Sequence, residues 1–171
     1  MKIGKVNISI MGLMGSGKSS IGKELSKIYK LKFVDTDYEI EKETGKSINY
    51  LFRNYGEKYF RNIEEKVCLK VLNYKNCVIS LGGGSIINKE IRRIIEKNSY
   101  SIFLNVEVDV LLKRLTNTKK RPLLLNVDKK KLINDLYEKR QKYYIKSDLI
   151  IENNFEKKDV LKEIKLKINN I

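Results

Sequence analysis

Between Gly12 and Ser19 the chain reads Gly-Leu-Met-Gly-Ser-Gly-Lys-Ser, directly after the apolar run Ile8-Ser9-Ile10-Met11. This fits the pattern G-x-x-x-x-G-K-S/T, with Gly12, Gly17, Lys18 and Ser19 at the four fixed positions. Such a loop works only where a strand ends before it and a helix begins after it, so it dictates the start of a fold. Its glycines let the backbone curl until successive N–H groups point inward at phosphate oxygens. Ile21, Leu25 and Ile28 then follow at helical spacing, and that helix adds its positive end to the same anion. The motif therefore predicts a bound nucleoside triphosphate, with Lys18 reaching its β- and γ-phosphates and the Ser19 hydroxyl holding Mg²⁺.

Strand-like runs recur at 5–11, 31–34, 77–81, 100–105 and 148–152, with helical patterns between them. This alternation predicts an α/β fold of the P-loop kinase type, a five-stranded parallel sheet with helices on both faces. One domain spans 1–171, and no Pro/Ser/Gly-rich linker or internal repeat divides it. Ligands of open α/β sheets sit beyond the strand C-termini, where Asp35-Thr36-Asp37 and Gly82-Gly83-Gly84 fall. Residues 116–127 are polar and basic, hold the sole proline, and are long enough for a short lid.

Several side chains admit both a chemical and a structural role. Asp35 and Asp37, two apart at a strand end, point in different directions. One would serve Mg²⁺ while the other takes the proton of an attacking hydroxyl, or Asp37 simply caps the next helix. Glu57, Arg61 and Glu64, spaced by four and three, share a helix face whose core side is marked by Phe60, Ile63, Val67 and Val71. They form either a surface ladder of ion pairs or an arginine pinned for a substrate carboxylate. Gly82–Gly84 either make a turn or let backbone approach a ligand closely. In a helix over 129–146, Arg140 falls in the apolar stripe with Ile133, Tyr137 and Tyr144. There it either snorkels to water or meets an anion. Arg121, in the lid, is placed to close on the γ-phosphate and exclude water.

Composition narrows the classes. The net charge is +15, with 36 Lys and Arg. The lysines are spread along the whole length rather than gathered in a patch, so nucleic acid is not expected as the main partner. Neither D-x-x-G nor N-K-x-D occurs, which disfavours a GTPase. The apolar N-terminal run is broken by Asn7 and Ser9, and no run reaches membrane-spanning length, so no membrane association is expected. Cys68 and Cys77 have no His partner anywhere in the chain and no metal spacing. They read as buried thiols in a reducing cytoplasm, with a disulfide left open.

Taken together, these motifs resemble shikimate kinase over nearly the whole chain. The matching segments are Gly12–Ser20, Asp35-Thr36-Asp37, Gly56-Glu57-x-x-Phe60-Arg61, Gly82–Gly84, Arg121-Pro122-Leu123-Leu124, and Arg140 with Tyr144. The resemblance implies ATP-dependent phosphorylation of the shikimate 3-hydroxyl on the route to aromatic amino acids, in the cytoplasm and by a monomer. It also implies substrate-binding helices over about 36–72. By similarity, Gly15, Ser16, Gly17, Lys18, Ser19 and Ser20 wrap the ATP phosphates, with Ser19 on Mg²⁺ and Asp35 supporting that ion through water. Asp37 holds the shikimate hydroxyls and activates one, while Lys18 and Arg121 act on the transferred phosphate. Arg61, Arg140 and the Gly82, Gly83 and Gly84 backbone take the substrate, and Arg114 and Lys157 border the adenine. A gluconate kinase or a nucleoside monophosphate kinase would share the loop and fold, but not the Gly56–Arg61 segment with the triple glycine. A basic ATP-binding protein associated with nucleic acid is the more distant alternative.

Overall fold

The computed structural model describes residues 6–115 and 128–169. Its element order is β1 (Asn7–Met11), α1 (Lys18–Ile28), β2 (Lys32–Asp35), α2 (Thr36–Thr44), α3 (Ile48–Leu72), β3 (Cys77–Ser80), a 3-10 turn (Ser85–Ile87), α4 (Lys89–Asn98), β4 (Ser99–Asn105), α5 (Val108–Leu115), α6 (Lys129–Tyr144), β5 (Leu149–Glu152) and α7 (Lys157–Asn169). The five strands form one parallel sheet in the order β2-β3-β1-β4-β5. All five expected strands are present, with ends shifted by a residue or two. The expected helix over 129–146 stops at Tyr144.

Strand alternation divides the apolar residues between two cores. Ile8 and Ile10 of β1, Val78 of β3, and Tyr100, Ile102 and Leu104 of β4 pack with Ile21 and Leu25 of α1 and Val160 and Ile164 of α7. On the other face, Met11, Ile79 and Phe103 meet Val67 and Val71 of α3, Ile91 and Ile95 of α4, and Ile133 and Tyr144 of α6. The sheet is therefore covered on both sides, as its near-continuous apolar strands require.

Helix starts set the strand ends that matter. Asp35 is both the last residue of β2 and the N-cap of α2, accepting the amide protons of Asp37 and Tyr38. The cap is thus Asp35, and Asp37 is left for other work. Ser47 caps α3 through the Tyr50 amide, and Asp128 caps α6 through those of Lys130 and Lys131. Inside α3, Gly56 leaves the helical region at φ 79° and ψ 173°. That conformation belongs almost wholly to glycine, so α3 is two helical segments with a break just before Glu57. Cys68 and Cys77 are both buried and free, which closes the disulfide alternative. Among the described residues no helix is long and apolar enough to cross a membrane.

Candidate active site

The phosphate loop leaves β1 and enters α1 through Gly17, which adopts a left-handed conformation as N-cap. A side chain on Gly12 would strike the Leu104 carbonyl and the Ser16 hydroxyl, each at 2.7 Å. The Lys18 ammonium is buried and donates to the Gly12 and Leu13 carbonyls at 3.0 and 2.9 Å, so its charge is held inside the loop. The Ser19 hydroxyl donates to Asp35 Oδ2 at 2.5 Å and lies 3.4 Å from the Ser80 hydroxyl. Register explains this meeting, because Asp35 and Ser80 are paired residues at the ends of β2 and β3. One Asp35 oxygen caps α2 while the other faces the loop. Gly15, Gly17, Ser19, Ser20 and Arg114 line the hollow above.

An adjoining hollow on the α3 side combines apolar and charged walls. Met14, Ile48, Phe52 and Phe60 supply the first, and Asp37, Arg61, Glu64 and Arg140 the second. Its remaining wall is Gly82–Gly84. Among the described residues, Asp37 alone lines both hollows. A hydroxyl held in the second would therefore meet a phosphate held in the first beside its carboxylate.

Arg61 is fixed by two carboxylates. It pairs with Glu64 at 2.6 Å and with Glu57 at 2.9 Å. Burial opposes its charge, yet the two carboxylates outweigh burial and hold the guanidinium above its ordinary range. The ladder is not a solvated one, because the Glu64 side chain is only 4% exposed. Burial raises Glu64, with Arg61 pulling it down and Asp37 adding to the rise.

Arg140 is 3% exposed and does not snorkel to water. It donates to the Gly83 carbonyl at 3.0 Å, and its Nε–H, wholly buried, has no partner. Burial first, and then the like charge of Arg61, lowers its pKa. Tyr144 stacks on Phe103 with centroids 4.7 Å apart and donates its hydroxyl to the same Gly83 carbonyl at 2.6 Å. Burial pushes this phenol up to about 12.

The triple glycine is a matter of space, since none of the three has a positive φ. A Cβ on Gly82 would fall 2.7 Å from Glu64 and 2.9 Å from Asp37. One on Gly83 would crowd the Gly12 carbonyl at 3.2 Å, and one on Gly84 would overlap the Arg61 guanidinium. Each bare Cα makes room for a different functional group, which is why a turn alone does not account for three in a row.

A family model for shikimate kinase matches residues 14–169. The chain belongs to the shikimate kinase family. A shikimate kinase from Xylella fastidiosa is 40% identical over 146 residues, covering 85% of this chain and 81% of the relative. One from Rhizobium meliloti is 38% identical over 161 residues, covering 94% and 84%. Among solved structures, shikimate kinase from Acinetobacter baumannii in complex with shikimate superposes with a TM-score of 0.92 at 31% identity, covering 97% of this chain and 94% of that one. A gluconokinase from Sinorhizobium meliloti shares the fold at a TM-score of 0.63 and 15% identity, covering 99% and 97%.

Within this shikimate kinase fold, the expected residues that the structure describes form one connected region. Arg121 and the lid at 116–127 lie outside the described residues. Lys157 borders a side hollow together with Gly15, Gly17 and Ser20 of the phosphate loop, Arg114 and the exposed Phe155. The Asn153 side-chain amide donates to the Ser16 carbonyl at 2.6 Å, and Arg114 donates to the Asn153 carbonyl at 2.9 Å. The first of these bonds ties the residue after β5 to the phosphate loop across 137 residues, a separation no local pattern signals.

Proposed function

We propose that the chain transfers the γ-phosphate of ATP to the 3-hydroxyl of shikimate, giving shikimate 3-phosphate and ADP. The observation that carries this reading is Asp37 at the junction of the phosphate hollow and the hollow holding Arg61 and Arg140. In this reading the shikimate carboxylate lies between the two guanidiniums, where the partnerless Arg140 Nε–H supplies a donor. The Gly83 carbonyl is engaged by Arg140 and Tyr144, and its N–H is offered to the substrate. The ring hydroxyls reach Asp37. As the hydroxyl oxygen forms its bond to the γ-phosphorus, its proton passes to the Asp37 carboxylate and the bond to the β-phosphate oxygen breaks. Lys18 and the loop N–H groups stabilise the charge that moves onto the phosphates, which is most of the catalysis such a transfer needs. Arg121, by its place in the sequence, adds to that stabilisation and keeps water out.

A hydroxyl and a carboxylate in contact, Ser19 with Asp35, make a hard-oxygen pair. Mg²⁺ suits this, because it takes few protein ligands beside phosphate oxygens and waters. The described residues hold no cluster of three or more acidic, Cys or His ligands, in keeping with an ion that arrives with the nucleotide. When bound, the ion neutralises phosphate charge. We further propose action as a monomer and cytoplasmic location, the latter supported by two free buried thiols.

ADP release from Mg-ATP with shikimate, gluconate, AMP or no acceptor tests the reading. Release that depends on shikimate alone is expected. Release with gluconate or AMP instead would retain the fold and discard the substrate.

A further inference from the structure

Between the two carboxylates at the end of β2 stands Thr36, a residue with no exposed surface. The β2–β3 ladder runs as far as Asp35 and Ser80. At Thr36 the chain turns into α2, so β2 offers no further strand backbone to the β3 extension. On the opposite side that extension is still paired, with the Leu81 N–H bonded to the Ile10 carbonyl at 3.1 Å. The next amide, that of Gly82, would be a buried orphan. The Thr36 hydroxyl takes it, accepting the Gly82 N–H at 2.9 Å and donating to the Ser80 carbonyl at 3.3 Å. The hydroxyl thus uses its one proton on the Ser80 carbonyl and an acceptor site on the Gly82 amide.

What this hydroxyl holds is the first glycine of the acceptor wall. The Gly82 carbonyl is held in turn by the Ser85 N–H at 3.1 Å and the Ser85 hydroxyl at 2.7 Å. The Gly82 peptide is thereby clamped at both ends, and its bare Cα faces Glu64 and Asp37. We propose that Thr36 is a positioning residue for the acceptor. Its hydroxyl stands in for the missing strand, carries the ladder one step beyond the sheet, and sets Gly82–Gly84 at the distance from Asp37 and Arg61 that acceptor binding requires. This inference rests on the acceptor reading above. It adds that the wall's placement depends on a side chain that never touches substrate.

Thr36→Val keeps the shape and removes the hydroxyl, whereas Thr36→Ser keeps the hydroxyl. In Thr36→Val the KM for shikimate is expected to rise about tenfold or more, the effect of leaving a buried amide unpaired. The KM for ATP should stay within about twofold, and Thr36→Ser should restore shikimate binding. Should the valine variant not fold, Thr36→Ala carries the same comparison. In the wild-type chain, hydrogen exchange at the Gly82 amide should be as slow as within β3. Equal loss in the serine and valine variants, a matching rise in the KM for ATP, or fast exchange at Gly82 would each overturn the proposal. A wild-type chain without shikimate-dependent ADP release would instead overturn the acceptor reading itself, with Gly82 exchange still reporting whether the clamp exists.

Discussion

Arg61 and Arg140 present the same guanidinium in two states. Arg61 is balanced by Glu57 and Glu64, while no carboxylate among the described residues comes within ion-pair distance of Arg140. Removing a hydrogen-bonded partner from a buried charge pair generally loses about 2–5 kcal/mol of binding. Arg61→Ala and Arg140→Ala are each expected to weaken shikimate by that amount while ATP affinity is kept. Titration calorimetry with each ligand checks this, and unchanged shikimate affinity in either variant would refute its role. Lys18→Ala should behave in the opposite way, binding shikimate yet losing turnover. Gly84→Ala tests the spatial account of the triple glycine. Its methyl group would overlap the Arg61 guanidinium, so the KM for shikimate should rise toward that of Arg61→Ala with little change in folding temperature. A variant with wild-type KM would show that the arginine has room to move.

At the scale of elements, α3 carries the most information per residue. Its first segment contributes Ile48 and Phe52 to the acceptor hollow, and its second contributes Phe60, Arg61 and Glu64. The break at Gly56 comes between them. Nothing lies within 4 Å of where a Cβ would stand on Gly56, so an alanine there fits sterically and strains only the backbone. Gly56→Ala should destabilise the protein by about 1–3 kcal/mol, the usual range for a side chain forced into so sparse a region. Denaturant unfolding measures it, and an unchanged or higher midpoint would mean that the helix prefers to run straight. The α2 start shows a similar economy of residues. Asp35 caps the helix with one oxygen and takes the Ser19 hydroxyl with the other, joining helix initiation to the phosphate loop.

For the whole molecule, burial of Glu64 makes stability depend on pH. Its folded pKa is raised above the usual 4.5, with burial the largest cause. The folded state therefore holds this proton more tightly than the unfolded chain does. That stabilisation is complete below 4.5 and is lost as pH rises through the folded value. Melting curves of the wild type and of Glu64→Gln should show the wild type's relative stability falling over that window. A constant difference would mean that Arg61 keeps Glu64 at its ordinary value. The net charge of +15 has a global consequence too. With lysines scattered rather than clustered, oligonucleotide binding should be weak and vanish near physiological salt. Tight, steeply salt-dependent binding would give the basic surface a function of its own.

Whatever is written within one turn or one strand was legible without the fold. The phosphate loop, the strand–helix alternation, the shared face of Glu57, Arg61 and Glu64, and the apolar stripe holding Arg140 all rest on spacings of a few residues. Those spacings are dictated by backbone geometry itself. Other features needed three dimensions. Whether Asp35 or Asp37 caps α2 turned on where β2 ends, two residues earlier or later. Whether Arg140 snorkels or stays buried turned on the Gly83 carbonyl, which it shares with Tyr144. Three glycines in a row look alike in sequence, and only their neighbours reveal what each makes room for. Thr36 and Gly82, 46 residues apart, meet because parallel strands bring distant segments edge to edge. Local periodicity determines which faces a segment has. Which partners fill those faces is decided by chain segments far apart in sequence, and at this site those partners set where each charge sits.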